Sequence, residues 1–339
     1  MATLPITNPT LLDLANRMDA SGNIPAIVEI LNEQNEILDD MSWMEGNTTT
    51  GHKTKVRTGI PTPTWRALYQ GVQPTRSTTA EVTDTCGTME AFSEIDCREA
   101  DLNGNTSEFR LSEDLPHFEG FNQELADSLF YATETTNPEK FTGLAPRFND
   151  PTAENGQNMI DGAGSGSDNC SIWLVGWSMK SIFGIVPKGL PAGLQHSDLG
   201  KQLVDVFDSS GVYTGKMMAY VSHYLWHTGL CLKDWRYVVR ICNIDKSDLT
   251  KNAASGADLL DLMTQAIELM PSDFMGATRP VFYVPQTIRS FLRRQIVNKV
   301  AASTLTMEDV LGRKVVTMDG IPVRRCDALA GDEATISGF

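Results

Sequence analysis

Two histidines four residues apart, His223 and His227, have the spacing of a pair of zinc ligands on one face of a helix. A metalloprotease helix carries Glu directly after the first His. Here that place holds Tyr224, and no third ligand stands nearby in sequence. A second candidate is the run Asp161-Gly-Ala-Gly-Ser-Gly-Ser-Asp-Asn169, whose backbone N–H groups could cradle a phosphate. It lacks the last glycine of the dinucleotide fingerprint and the Lys-Ser/Thr of a P-loop, so it reads as a flexible connection. There is no Ser in a G-x-S-x-G frame, no Cys/His couple and no recognisable carboxylate pair, and His52, His117 and His196 are isolated. The expectation is a chain without catalytic, cofactor or metal residues.

The charged residues are more informative. The chain has 339 residues, with 28 Lys and Arg against 43 Asp and Glu, a formal net charge of −15. Such acidity excludes a protein that grips DNA through a dense basic surface. The charge is also segregated. Residues 46–80 contain Lys53, Lys55, Arg57, Arg66 and Arg76 and no acid, whereas 81–139 contain only Arg98 and Arg110 among many acids, including Glu108, Glu113, Asp114, Glu119, Glu124 and Asp127. Residues 1–45 are acidic and the rest is balanced. A basic helix is expected over 287–300, where Arg289, Arg293, Arg294 and Lys299 interleave with apolar residues. That is the pattern of an amphipathic helix with a solvated basic face.

Certain elements must carry these charges. Asn8-Pro9 opens a short helix through Leu11, Leu12, Ala15 and Met18, and Ile24, Ile27, Val28, Leu31 and Leu38 mark a second. Their thin apolar stripes require a larger surface to dock on. Residues 46–95 read as a long, twisted hairpin interrupted at Gly59-Ile-Pro-Thr-Pro63, too polar to be stable without a partner surface. The spacing of Leu111, Leu115, Phe118, Leu125 and Leu129 predicts a long helix over 107–133, bent near Pro116 and Gly120 or starting late at Ser112. An irregular segment spans 134–170. Beyond it the chain reads as mixed α/β, with strands at 171–175, 181–186, 203–207, 219–225, 237–242 and 280–284, a helix capped by Ser255 and a closing strand-turn-strand. Six scattered cysteines without a C-x-x-C pair read as reduced, buried thiols of a chain folded in a cytoplasm, and neither a secretory signal nor a membrane span is seen.

An arm, a basic hairpin, an acidic helix and a balanced body describe a subunit that reaches over its neighbours, the hairpin of one copy lying across the acidic helix of the next. Several segments carry a resemblance in order along the chain. They are Thr10-Leu-Leu-Asp-Leu-Ala15, Val28–Asp40, Gly51-His-Lys-Thr-Lys-Val-Arg-Thr-Gly-Ile-Pro61, Asn103–Ser112, Pro138–Leu144 and Gly320-Ile-Pro-Val-Arg-Arg-Cys-Asp327. With these the chain resembles the major capsid proteins of tailed bacteriophages with the Hong Kong 97-type α+β fold. The resemblance implies an N-terminal arm at 1–45 and an extended β-hairpin loop at 46–90. It implies a peripheral domain at 91–169 and 309–339 with a spine helix at 107–133, and a mainly axial domain at 170–308. It further implies hexamers and pentamers of an icosahedral virion shell around packaged double-stranded DNA, assembled in a bacterial cytoplasm and touching DNA only weakly. A portal, a separate scaffolding protein and a decoration protein are its implied partners, with no membrane. The spine helix would straighten as the shell matures, and Lys53 and Lys55 lie where some members cross-link, although no matching Asn or Glu is identified here. The rival readings are a tail or decoration component, or an enzyme whose site lies under 134–170.

Overall fold

The computed structural model describes residues 33, 35–101, 106–207, 211–249, 258–297, 305–310 and 313–339, with the backbone alone at 295–297, 305–310 and 313–315. The first expected helix and all of the second before residue 33 lie outside this set, as do Ser255 and Lys299. Along the chain the strands are β1 (Trp43–Glu45), β2 (Gly51–Gly59), β3 (Thr78–Asp96), β4 (Met159–Asp161), β5 (Asn169–Trp177), β6 (Ile182–Val186), β7 (Gln195–Phe207), β8 (Tyr213–Leu232), β9 (Val238–Asp245), β10 (Arg279–Val284), β11 (Leu305–Val310), β12 (Arg313–Met318) and β13 (Ile321–Arg325). The helices are α1 (Ile37–Asp40), α2 (Cys97–Ala100), α3 (Thr106–Tyr131), α4 (Leu259–Leu269), α5 (Phe274–Ala277) and α6 (Gln286–Val297).

The chain forms two compact units. One holds 1–33, 88–125 and 191–227, and the other holds 34–87, 126–190 and 228–339. Residues 191–227 therefore cluster with the first part of the long helix, and 126–169 and 309–339 cluster with 228–308.

The larger unit is built on strands buried along their whole length. Every residue of β5, β6 and β9 is buried, which is why the sequence shows near-continuous apolar runs there rather than alternation. β5 pairs antiparallel with both β9 and β10, and β10 runs parallel to β13. Helices α4 and α6 close the core. Leu259, Met263, Ala266, Ile288 and Leu292 pack with Ile172, Leu174, Val239, Ile241 and Phe282. The expected Ser255 cap gives way to Asp258, whose carboxylate accepts the N–H groups of Leu260 and Asp261 at 3.2 and 3.5 Å. In α6, Arg289 pairs with Glu36 at 3.2 Å while Arg293 and Arg294 stay exposed, so the helix is amphipathic as its spacing predicts.

The segment 134–170 is packed rather than open. Phe141, Leu144 and Phe148 are buried, and the N–H groups of Gly143, Leu144 and Ala145 donate to the carbonyls of Ala132, Leu129 and Phe130 at 2.8, 2.9 and 2.7 Å. The segment thus satisfies carbonyls that the end of α3 would otherwise leave unpaired. Residue 143 must be glycine, because a Cβ there would lie 2.6 Å from the Ser128 carbonyl oxygen.

In the smaller unit, β7 and β8 form an antiparallel ribbon paired from Gln195–Leu225 to Phe207–Tyr213, with bulges near Gly200 and Val206. The expected strands 203–207 and 219–225 are its fragments. Most of β7 is exposed, so no apolar alternation marks its true length. Phe109 of α3 packs with Ile95, Ala100 and Tyr220. Tyr224 is buried between the stacked rings of His117 and His196, at 5.3 and 5.0 Å. α3 starts at Thr106 and runs unbroken through Pro116, so the expected start at Ser112 is displaced.

Candidate subunit interface

The five basic residues fall on one hairpin. Lys53, Lys55 and Arg57 alternate along β2 and are exposed, with the buried Thr54 between the first two. The Lys53 ammonium donates to Glu81 on β3 at 3.1 Å. Arg66 and Arg76 lie in the stretch 60–77, which has no regular structure and is exposed throughout. Its apolar side chains are also bare, Ile60 at 84%, Trp65 at 101%, Leu68 at 84% and Tyr69 at 103% of their free exposure. A turn closed by the Gln70 N–H donating to the Ala67 carbonyl at 3.3 Å places Tyr69 at φ 67°, a left-handed backbone unusual for an aromatic residue. Large exposed apolar groups of this kind mark surfaces built to be covered.

The acids of α3 do not share one face. Glu113, Glu124 and Asp127 are separated by whole turns and fall along one stripe. Asp114 points toward β8, where the Ser222 hydroxyl donates to it at 3.5 Å and where burial and the Asp114 charge push the Tyr224 phenol up. Glu119 accepts the backbone N–H of Glu33 and the amide of Gln123, both at 2.9 Å, and so ties residue 33 to α3. Glu108 is exposed near the helix start. Sequence reasoning missed Arg110, which donates to Asp198 at 2.7 Å and lies 4.8 Å from the Tyr220 ring centre, tying α3 to the ribbon. Its only signal was being one of two cations in an acidic stretch.

The other candidates resolve into structural contacts. His223 and His227 sit on a strand, not a helix. His223 meets Glu90 at 2.6 Å and stacks on Phe92, and the His227 ring meets the Thr88 hydroxyl at 3.0 Å. Among the described residues no cluster of three or more His, Cys, Asp or Glu could hold a metal. The N–H groups of Gly162 and Gly164 donate to the carbonyls of Cys242 and Asn243 at 2.8 and 2.7 Å, which extends the β4–β9 pairing and leaves them unavailable to an anion. A Cβ at Gly164 would lie 2.5 Å from the Asn243 carbonyl oxygen, which explains the glycine. All six cysteines are free thiols, and burial pushes those of Cys86, Cys170, Cys231 and Cys242 up to about 12. Among the described residues no helix is long and apolar enough to cross a membrane.

An exposed, charged hairpin that carries bare apolar side chains suits protein contacts. The family model for major capsid protein GP7 matches residues 19–337. A solved chain of bacteriophage Epsilon15 is 37% identical and superimposes with a TM-score of 0.81 over 100% of both chains. A capsid chain of bacteriophage JBD30 matches at 10% identity and a TM-score of 0.47, over 87% of this chain and 91% of that one. The capsid of a native GTA particle matches at 9% identity and a TM-score of 0.44, over 69% and 98%. No curated protein sequence matches the chain. With the family model spanning most of the chain and a full-length relative at this identity, the chain belongs to the family of major capsid protein GP7 and is a bacteriophage major capsid protein with the Hong Kong 97-type fold, a structural subunit that self-associates into the shell of the virion.

Proposed function

We propose that the chain builds pentamers and hexamers of an icosahedral shell that encloses packaged double-stranded DNA, by laying its arm (1–45) and extended loop (46–90) on neighbouring copies. The observation that carries this reading is the 60–77 stretch, which projects four bare apolar side chains and two arginines that the described residues leave uncovered. Within the shell, residues 91–169 and 309–339, with the spine helix at 107–133, take the peripheral role, and residues 170–308 mainly the axial one. The acidic chain meets DNA by weak, non-specific contact. Assembly takes place in the host cytoplasm around a separate scaffold, with a portal at one vertex and a decoration protein outside, and no reaction is catalysed. Negative-stain microscopy of the purified chain tests the reading. Uniform shells or hexameric rings are expected, and a persistently monomeric chain with measurable turnover overturns it.

A further inference from the structure

The run 161–169 spends the N–H groups of Gly162 and Gly164 on the carbonyls of β9, and what gathers beneath it is side-chain oxygen. Asn169 at the start of β5 is the cross-strand partner of Asp245 at the end of β9, so the two side chains share one face of the sheet. Asp245 Oδ1 accepts the Ser247 N–H and hydroxyl at 3.0 and 2.7 Å. Its Oδ2 faces Gly166, where a Cβ would collide with it and would lie 3.2 Å from Asp168 Oδ1. The two carboxyl groups meet there closely enough to share a hydrogen bond. Among the described residues no Lys, Arg or His forms an ion pair with either one, and Lys246 sends its ammonium to Gly331 instead. Two carboxylates in this relation repel unless a proton or a cation stands between them.

Asn169 supplies an independent sign of a ligand. The residue is 1% exposed. Its amide nitrogen donates to the Gly166 carbonyl and the Thr335 hydroxyl at 2.8 and 2.9 Å, whereas its amide oxygen has no partner among the described residues. That oxygen lies under the same run, 3.0 Å from where a Cβ would stand at Gly164. With the nitrogen held on Gly166, the oxygen opens into the space that the two glycines leave beside the carboxylates. A buried acceptor without a donor is costly, and a bound cation satisfies it.

We propose that Asp168, Asn169 and Asp245 bind a calcium ion under the glycine run, through Asp168 Oδ1, Asp245 Oδ2 and the Asn169 amide oxygen, with water completing its shell. With an amide oxygen as third ligand, the site does not need the cluster of three acids that the described residues lack. The donors are all oxygen, which suits a hard cation and disfavours zinc or copper. Ligands drawn from one loop and two strands fit the irregular shell of calcium better than the strict octahedron of magnesium. The Asn169 carbonyl also accepts the Glu333 N–H at 2.9 Å, so the ion fastens the C-terminal segment to β5 and β9.

Two carboxylates and one amide oxygen place the site at the weak end of calcium affinities, at a Kd of about 0.1–1 mM. Calorimetric titration of the unassembled, EDTA-treated full-length chain with calcium chloride is expected to show one site per chain in that range. At about 10 mM calcium the melting temperature is expected to rise by about 2–5 °C. Asp168→Asn should weaken binding at least tenfold without lowering the metal-free melting temperature, because it keeps the shape and removes a repulsion. Asp161→Asn is the control, since it makes the same charge change in the same run at a carboxylate already engaged by Asn243 and Ala163, and it should bind as wild type does. A wild-type titration without saturable heat means that a shared proton closes the carboxylate pair, and it overturns the site. Equal weakening by both variants, or a rise with magnesium as large as with calcium, reduces the effect to general charge screening and overturns it as well.

Discussion

The Arg240 guanidinium donates to the Glu333 carboxylate at 2.8 Å, and the two side chains are only 5% and 8% exposed. Glu333 also accepts the Ser171 hydroxyl and the Tyr131 phenol, the latter at 2.5 Å, and Arg240 donates to the Phe148 carbonyl at 2.6 Å. One pair thus joins the C-terminal segment to β5, β9, the end of α3 and the 134–170 segment. Removing one partner leaves the other charge buried and uncompensated. Glu333→Ala is therefore expected to lose about 3–5 kcal/mol of stability, against at most about 1 kcal/mol for Glu81→Ala in the exposed Lys53 pair. Urea unfolding of the unassembled chain measures both, and equal losses would refute the ranking.

Asp198 accepts from Arg110 at 2.7 Å and from the Gly200 N–H at 2.8 Å, and the Arg110 hydrogen bond foremost holds its carboxyl below its ordinary 3.8. Because the folded value lies below the unfolded one, this contact stabilises the chain above the ordinary value and is lost as pH falls through the folded value. Wild type is expected to exceed Asp198→Asn in stability at pH 6 by at most about 1 kcal/mol, as befits a solvent-exposed pair. The gap should be smaller at pH 3, below the ordinary value. Urea midpoints at the two pH values decide it, and a gap that is independent of pH would show that Asp198 acts through shape alone.

How much of this could be read in advance depends on where the residue sits. The regular elements under the core were legible. Leu125 and Leu129 are fully buried at the helical spacing that announced α3, and 171–175 and 280–284 lie within β5 and β10. The β7–β8 ribbon was only partly legible, because Leu203 and Phe207 are more than half exposed and β7, which has no buried residue, leaves no alternation to detect. Charge segregation marked the basic loop. It could not reveal that Glu119 and Asp114 are engaged within their own chain, since that depends on helical phase against partners distant in sequence. Gly120 was visible only as a possible bend. In the structure α3 continues through it.

Pro116 sits inside α3 with no N–H to offer the Ser112 carbonyl, and it is exposed. An interior proline costs a helix about 3 kcal/mol, part of which is offset by its restriction of the unfolded chain. Pro116→Ala is expected to stabilise the unassembled chain by about 1–3 kcal/mol. If α3 bends in a precursor shell and straightens on maturation, the same variant should favour the straight form and shift precursor shells toward the expanded size. Melting temperature and shell diameter report the two effects separately. A higher melting temperature with unchanged precursor shells would remove Pro116 from any maturation step.

Lys53, Lys55 and Arg57 are exposed along β2, and only the Lys53–Glu81 contact ties any of them to their own hairpin by an ion pair. Replacing all three with Glu therefore costs the monomer little, a few tenths of a kcal/mol per unfavourable cross-strand pair. Under the proposed assembly, it reverses the sign of a loop root that meets an acidic neighbour. Encounter between charged surfaces is accelerated roughly ten- to a thousandfold by complementary fields, and reversal removes that gain. Light scattering is expected to show assembly slowed at least tenfold near 50 mM salt, with the gap to wild type narrowing as salt approaches 1 M and the Debye length falls to about 3 Å. Circular dichroism of the monomer should be unchanged. Wild-type assembly rates at low salt would mean that the loop is seated by its apolar tip alone, with the basic strand left facing solvent.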